Sequence, residues 1–354
     1  MKTIAFTGGG TGGHIYPGIA VIPYLADYRV VWIGSHTGID KDIVHKAGIF
    51  FFGIPAGKLR RYFSLRNLTD VFKIIAGFFA ARAIFKKEKP ALLFSKGGFV
   101  SVPPVLAAAS LKIPVFTHES DYSPGLATKI NIRFADRVFT TYATTARFLP
   151  KSIADKITVS GNLIRSAFYT ADPQRGRAFL GLGTGERILL VLGGSQGAQE
   201  VNELIRDSLP ALTALYTVVH QTGQVWQASP APHYLPFTFI HEELPHILAA
   251  AELVVGRSGA GTLWECASVG VPLVLIPLQG AGTRGDQVEN ARVFAQAGAA
   301  LVLEERNPTA LQKMVLALAH DPEKRRAMSS AAKQIGSING AQIIAAAIKD
   351  AVAN

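Results

Sequence analysis

Three glycine clusters carry the chemistry most readable in this chain: Gly8-Gly-Gly-Thr-Gly-Gly13, Gly193-Gly-Ser-Gln-Gly197 and Ser258-Gly-Ala-Gly-Thr262. Each stands between a short apolar run and a helical pattern. A glycine turn in that position lets the backbone approach a phosphate closely, and the opening N–H groups of the helix add about half a positive charge. A tight strand-to-helix turn would explain any one cluster; three together favour anion cradles. None ends in Gly-Lys-Ser/Thr, which excludes a triphosphate-binding P-loop. Gly8, Gly10 and Gly13 satisfy GxGxxG, yet no acidic residue closes a second strand near Trp32-Ile33-Gly34, which disfavours a nicotinamide cofactor. If each half of the chain holds one diphosphate, two facing loops would bring two diphosphate compounds together across a cleft, as a group transfer requires.

Polar side chains near these loops have two readings each. Glu265 follows Thr262 by three residues, the spacing of a helix capping box; its carboxylate would equally suit a ribose whose diphosphate sits on the same helix end. Asp286-Gln287 offers acceptors and donors for sugar hydroxyls, or is a solvated loop. Asp40-Lys-Asp42 spells an Asp-x-Asp metal motif but lies at an apparent helix start far from the later loops. It is read as a solvated helix face, and no metal is expected.

These residues need elements to hold them. At 354 residues the chain predicts two domains. Apolar strand candidates recur at Thr3–Thr7, Val30–Ile33, Ala91–Phe94, Val115–Thr117, Ile188–Leu192, Thr217–His220, Leu253–Val255 and Leu273–Ile276, separated by helix-length segments. Such alternation predicts an α/β protein of two doubly wound parallel-sheet domains. The division is expected after Gly161-Asn162, giving 1–162 and 163–338. The alanine-rich run Ala341–Val352 reads as a final helix free to cap either domain, and 339–354 is assigned to the first.

Composition narrows the setting. Hydrophobic residues make up 49% and charged ones 17%, a globular balance, and the single Cys266 rules out an internal disulfide and fits a reducing compartment. The start is too short in apolar residues for a secretory signal. The most apolar helical stretch, Ile74–Ala81, is closed off by Lys73 and Arg82, against about 20 residues needed to span a bilayer. Residues 1–160 hold 21 Lys+Arg against 9 Asp+Glu, a net +12, while the remainder is nearly neutral. A one-sided basic field predicts an anionic partner.

Nine of those cations fall between Lys58 and Lys89. The helical pattern there has one apolar face at Phe72, Ile75 and Phe79 and another at Ile74, Phe78 and Phe85. One face can pack on the domain; the second is expected at an anionic membrane surface, with Ile74, Phe78 and Phe85 entering it and Arg82, Lys86 and Lys87 meeting headgroups. The alternative is that both faces are core. Nucleic acid would also answer the charge, but no aromatic-basic interleaving supports it.

Seven segments taken in order, GGGTGGHIYP (8–17), SKGGFVSVPP (95–104), HESDYSPGL (118–126), GNLIR (161–165), GGSQGA (193–198), RSGAGTLWE (257–265) and DQVENA (286–291), resemble the MurG family. The resemblance implies a GT-B fold of two Rossmann-like domains facing across a cleft. It also implies an inverting transferase that moves N-acetylglucosamine from UDP-N-acetylglucosamine to lipid I, the undecaprenyl-diphosphate-linked muramyl pentapeptide, giving lipid II for the bacterial cell wall at the cytoplasmic face of the membrane. No cofactor is implied. Carried over by position, the donor would meet Thr11, Gly12, Gly13, Arg165, Ser195, Gln196, Ile240, the run Ala260, Gly261, Thr262, Leu263, Trp264 and Glu265, and then Asp286 and Gln287. The acceptor would meet Gly9, Gly10, His14, Gly97 and Gly98. Two departures stand out: Asp121 occupies a position where an amide is common, and Asp286-Gln287 replaces a glutamine pair.

Inversion implies one in-line displacement, so a base must take the acceptor hydroxyl's proton. His14 is the first candidate, with an imidazole pKa of about 6.5 suited to neutral pH; capping the helix or binding the acceptor phosphate is its other reading. Glu119 and Asp121 compete with it. Competing functions are a diacylglycerol-type glycosyltransferase, a UDP-sugar epimerase and a nicotinamide oxidoreductase.

Overall fold

The structure is a computed structural model that describes residues 1–58, 66–194, 197–224, 226, 228–280 and 285–353. It divides into two compact units, Met1–Arg165 with Asn339–Asn354, and Ser166–Ile338. The boundary thus falls three residues after the position expected from Gly161-Asn162.

The first unit runs β1 (Thr3–Thr7), α1 (Gly12–Ile19), β2 (Arg29–Ser35), α2 (Asp40–Lys46), β3 (Phe50–Ile54), α3 (Arg66–Glu88), β4 (Leu92–Ser95), α4 (Val102–Ser110), β5 (Val115–Glu119), α5 (Leu126–Asn131), β6 (Arg137–Thr140) and β7 (Ile157–Val159). Its seven strands pair in parallel in the order β3-β2-β1-β4-β5-β6-β7. The second unit runs α6 (Pro173–Leu180), β8 (Ile188–Leu192), α7 (Gln199–Thr213), β9 (Thr217–Gln221), β10 (Tyr234–Phe237), α8 (Leu244–Ala250), β11 (Leu253–Gly256), α9 (Ala260–Val269), β12 (Leu273–Leu275), α10 (Asp286–Gln296), β13 (Ala300–Val302), α11 (Pro308–Ala319) and α12 (Pro322–Gly336). Its six strands are parallel in the order β10-β9-β8-β11-β12-β13.

The reason lies in the runs themselves. Ile188-Leu-Leu-Val-Leu192 is apolar at every position and buried at every position, which only a sheet covered on both faces permits. In the first unit, Ile15, Leu25, Trp32 and Phe94 fill one side of the sheet, while Ala81, Phe85, Val105 and Ile132 fill the other.

The last helix, α13 (Gly340–Ala353), belongs to the first unit. Its Ile344, Ile348 and Val352 join the core around Trp32 and Leu25, and Asn339 Nδ2 donates to Tyr24 Oη at 2.9 Å.

Candidate functional site

In both sheets the chain reverses its direction of strand addition, and at such a switch point a crevice opens beyond the strands' carboxyl ends. In the first sheet it lies between β1 and β4, the strands that lead into Gly8–Gly13 and Lys96-Gly97-Gly98. In the second it lies between β8 and β11, which lead into Gly193–Gly197 and Arg257-Ser258-Gly259. Topology therefore brings the first and third glycine clusters, and Gly193-Gly194 of the second, to the positions where α/β sheets bind ligands. Helices α1, α7 and α9, which follow them, start at Thr11, Ala198 and Gly259 without a side-chain cap among the described residues. α6, α11 and α12 are capped by Asp172, Asn307 and Asp321, whereas α2, α4, α5, α8 and α10 also lack a side-chain cap among the described residues, so it is the glycine-led position at the switch points that marks α1, α7 and α9. A helix start at such a switch point can turn backbone N–H groups toward an anion.

The first loop is held by a residue the sequence reading assigned to solvent. Asp40 is fully buried, and its carboxylate accepts the N–H of Gly10 and the N–H of Ser35, each at 2.9 Å. Burial raises its pKa, and those two hydrogen bonds oppose the rise. The close fit requires glycine at 9, where an added Cβ would lie 1.9 Å from an Asp40 oxygen. The Asp-x-Asp pair is thus not a solvated face throughout: Asp40 clamps the loop while Asp42 is exposed. Among the described residues no group of three His, Cys, Asp or Glu is placed to hold a metal ion. His14 sits in the first turn of α1, partly exposed, with its ring against Gly98, where a Cβ would come within 2.8 Å of His14 Cδ2. Thr11, Gly10 and Gly13 are exposed, Gly98 is half-buried, and Gly9, Gly12 and Gly97 are buried.

Beside this loop is a buried charged network on β4 and β5. Lys96 Nζ donates to Ser120 Oγ at 2.7 Å, and Ser120 Oγ donates to Asn162 Oδ1 at 3.1 Å. Glu119 is buried, and its two oxygens accept the N–H groups of Asp121 (3.0 Å) and Gly125 (3.1 Å). Burial and then the charge of Asp121 raise its pKa, against the Thr128 hydroxyl and Lys96. Its carboxylate therefore holds the 119–125 turn, whereas Asp121 is partly exposed. Burial, then the Lys96 charge, pushes His118 well below the usual imidazole range. Arg165, the last residue of this stretch, lies with its guanidinium 5.8 Å over the Tyr16 ring of α1.

At the second switch point, Ser195 and Gln196 lie outside the described residues. Gln221, at the end of β9, links two parts of the site: its Nε2 donates to Gly194 O at 3.1 Å and its Oε1 accepts the Ile240 N–H at 3.0 Å. Ile240 itself is buried. Ser258 Oγ donates to Gln287 O at 2.7 Å, and Gln287 Oε1 accepts the Leu278 N–H at 2.9 Å, which ties the start of α10 to the start of α9. Asp286 opens α10. The capping box does not form, because α9 begins at Ala260 with Gly259 as its cap, so Thr262 is already inside the helix. Gly261, Thr262 and Glu265 are partly exposed. Ala260, Leu263 and Trp264 face the core instead, Trp264 packing edge-on against Phe294.

The amphipathic helix reverses the expected assignment of its faces. Phe85 is 1% exposed and packs with Ala81 in the core, and Ile74, Phe78 and Arg82 are half-buried. Phe72 at 65%, Phe79 at 62% and Ile75 at 48% are the exposed ones, with Val71 beside them. The Phe78–Phe85 side wins because it lies against α4, where Arg82 Nε also donates to Ser110 Oγ at 3.2 Å. Lys86 and Lys87 are exposed, as is Lys73. No helix among the described residues is long and apolar enough to cross a membrane.

Two Rossmann-like units, each with glycine-lined helix starts at its switch point, form a GT-B glycosyltransferase fold. Residues 4–140 match the glycosyltransferase family 28 N-terminal domain and residues 188–345 the family 28 C-terminal domain. The chain belongs to glycosyltransferase family 28. It is 47% identical over 328 residues to the UDP-N-acetylglucosamine--N-acetylmuramyl-(pentapeptide) pyrophosphoryl-undecaprenol N-acetylglucosamine transferase of Treponema denticola, covering 86% of this chain and 84% of that one. With the transferase of the same name from Shouchella clausii it shares 44% over 315 residues, 87% and 88% of the two chains. The crystal structure of Acinetobacter baumannii MurG superposes with a TM-score of 0.74 at 25% identity, covering 99% of this chain and all of that one.

Proposed function

We propose that this chain transfers N-acetylglucosamine from UDP-N-acetylglucosamine to the 4-hydroxyl of the muramyl sugar of lipid I, giving lipid II and UDP. The observation that carries the reading is 47% identity, spread over 86% of the chain, to a transferase whose name states both substrates. The two switch points supply the matching chemistry, with glycine-led helix starts in each unit.

The reaction is one displacement: the acceptor oxygen bonds to the anomeric carbon as the bond to the UDP oxygen breaks, and the electron pair leaves with UDP. His14 in the first turn of α1 and Asp121 after β5 are the two candidates for the base that takes the hydroxyl proton. Glu119 is assigned to holding its turn, since backbone N–H groups take both its oxygens. Gly9, Gly10, Gly97 and Gly98 would cradle the acceptor diphosphate. On the donor side the start of α9 would stabilise the charge on departing UDP, with Glu265 on the ribose and Asp286 and Gln287 near the sugar, and Arg165 is the cation assigned to the donor by its sequence position. A donor aimed at the charge that develops on the leaving group is typically worth about 10²- to 10³-fold in rate.

The lipid acceptor also gives the exposed face of α3 a role. Val71, Phe72, Ile75 and Phe79 would enter the lipid boundary while Lys73, Lys86 and Lys87 meet anionic headgroups, in keeping with a peripheral enzyme that we assign to the cytoplasmic face of the membrane from its nucleotide-sugar donor. The deciding experiment is UDP release from UDP-N-acetylglucosamine. Release only when a lipid I analogue is supplied supports the reading. Turnover of the nucleotide sugar alone points to an epimerase, and use of diacylglycerol points to the other lipid glycosyltransferases.

A further inference from the structure

The carboxyl end of the second sheet carries a negative charge close to where an anionic ligand is assigned. Glu200 lies in the first turn of α7, the helix that follows the second glycine cluster. A carboxylate there suits the helix by itself, because the N-terminal end of a helix is positive. It repels a second anion at the same crevice, and the donor diphosphate is such an anion.

Two guanidiniums engage that carboxylate. Arg257, which follows β11 and leads into the start of α9, has its Nη1 3.2 Å from Glu200 Oε2. Arg306, in the loop between β13 and α11, donates from Nη1 to Glu200 Oε1 at 2.7 Å. The two arginine side chains are 11% and 19% exposed, so water screens the group only in part. Each charge acts on the next: burial lowers the Arg257 pKa, Glu200 opposes that fall and the Arg306 charge adds to it. One carboxylate against two cations leaves a net charge of +1 on the three groups.

The triad is also tied to the strand ends. The Arg257 N–H donates to Leu192 O at 3.1 Å, at the end of β8, and Arg306 Nη2 donates to Pro277 O, just past β12. Arg257 alone would neutralise Glu200; the second cation creates the surplus. Neither Glu200 nor Arg306 belongs to the segments that carry the family resemblance.

We propose that Arg306 is a positioning residue of the donor site: without touching the ligand, it engages Glu200 and Pro277 and so keeps a net positive charge at the end of the sheet that receives the nucleotide diphosphate. This inference rests on the transferase reading and adds a residue, far along the chain from the glycine clusters, that sets donor affinity.

The test compares UDP, titrated by calorimetry into the full chain, with uridine, which lacks the diphosphate and is measured by competition. Arg306→Met takes the triad from +1 to 0 and is expected to weaken UDP binding about 10-fold while uridine binds as before. Adding Glu200→Gln restores +1 and is expected to return UDP affinity to within about 3-fold of native. Native UDP affinity in Arg306→Met overturns the proposal, as does a double variant no tighter than Arg306→Met. Equal losses for UDP and uridine overturn it too, since they mark a distorted loop rather than a missing charge. If Arg306→Met does not fold, Arg306→Gln, which keeps a side-chain donor for Pro277 O, takes its place under the same expectations. A native chain that binds no UDP defeats the donor reading and this proposal together; UDP binding that ignores Arg306 defeats the proposal alone.

Discussion

The carboxylate of Asp40 accepts the backbone N–H of Gly10 at 2.9 Å across thirty positions of sequence. A second-strand turn therefore sets the shape of the first glycine loop. Replacing one oxygen by an amide in Asp40→Asn puts a donor against a buried N–H, at a cost of about 1–3 kcal/mol. Reduced denaturant stability together with slower UDP release is expected, while calorimetric UDP affinity stays unchanged. An Asp40→Asn enzyme with native turnover would remove the clamp from the functional argument.

Gln221 joins the Gly194 carbonyl to the Ile240 N–H. Gln221→Ala leaves both groups without this partner and is expected to weaken UDP binding about 10-fold, measured by titration calorimetry, with a smaller effect on kcat. Glu265→Ala should behave alike, whereas His14→Ala should lower kcat and leave UDP affinity intact.

The two faces of α3 should respond in opposite ways. Phe72→Ser with Phe79→Ser is expected to release the enzyme from anionic vesicles in a sedimentation assay without lowering Tm. Phe85→Ala, a core truncation, should cost about 3–5 kcal/mol of stability. The vesicle binding that remains should weaken with added salt, because exposed charges are screened. Vesicle binding unaltered by the paired serines would sink the membrane role of this face.

Acid should weaken the fold in two windows. His220 hydrogen-bonds Tyr234 and Asn202, and burial lowers its pKa to about 4. The unfolded chain takes up that proton near pH 6.5 and the folded chain does not, so stability falls as pH drops from about 6.5 to about 4, by up to about 3 kcal/mol. His118 acts in the same direction in the first unit. Glu252 is the opposite type of group: burial would raise it, but Arg187, Tyr216 and Arg325 together hold it below the usual carboxylate range. Its contribution is present above the unfolded value of about 4.3 and is lost only as pH falls further. Denaturant midpoints at pH 7, 5 and 3.5 separate the windows, and His220→Gln should flatten the first.

How much of this was legible in the sequence depended on burial. Strands at the sheet centres, such as Ile188–Leu192 and Leu253–Gly256, are covered on both faces and read as unbroken apolar runs. The four edge strands, β3, β7, β10 and β13, were not recognised. β3 and β13 are short apolar runs that periodicity alone does not separate from helix, whereas β10 is interrupted by Pro236, which an edge strand tolerates. Arg137 hid β6 in the same way.

The site shows the same division. Glycine loops announce themselves because their backbone role restricts the residue type. Asp40, Lys96 and Gln221 act on partners that only folding brings near, and nothing in the local spacing separates them from solvated side chains. The α3 error has a related cause: both stripes are apolar, and only the position of α4 decides which one is covered. Leu263 and Trp264 differ from Thr262 and Glu265 because a helix cannot turn consecutive residues toward one ligand.

The return of α13 also bears on the order of synthesis. The second unit is a continuous stretch, 166–338, inserted into the first, so a ribosome releases all of it before the strands made earliest receive their last covering helix. Trp32 and Leu25 must wait for Ile344 and Ile348. The lobe that is begun first is completed last, and a nascent chain cut short anywhere before residue 340 leaves that lobe with an open, aggregation-prone flank.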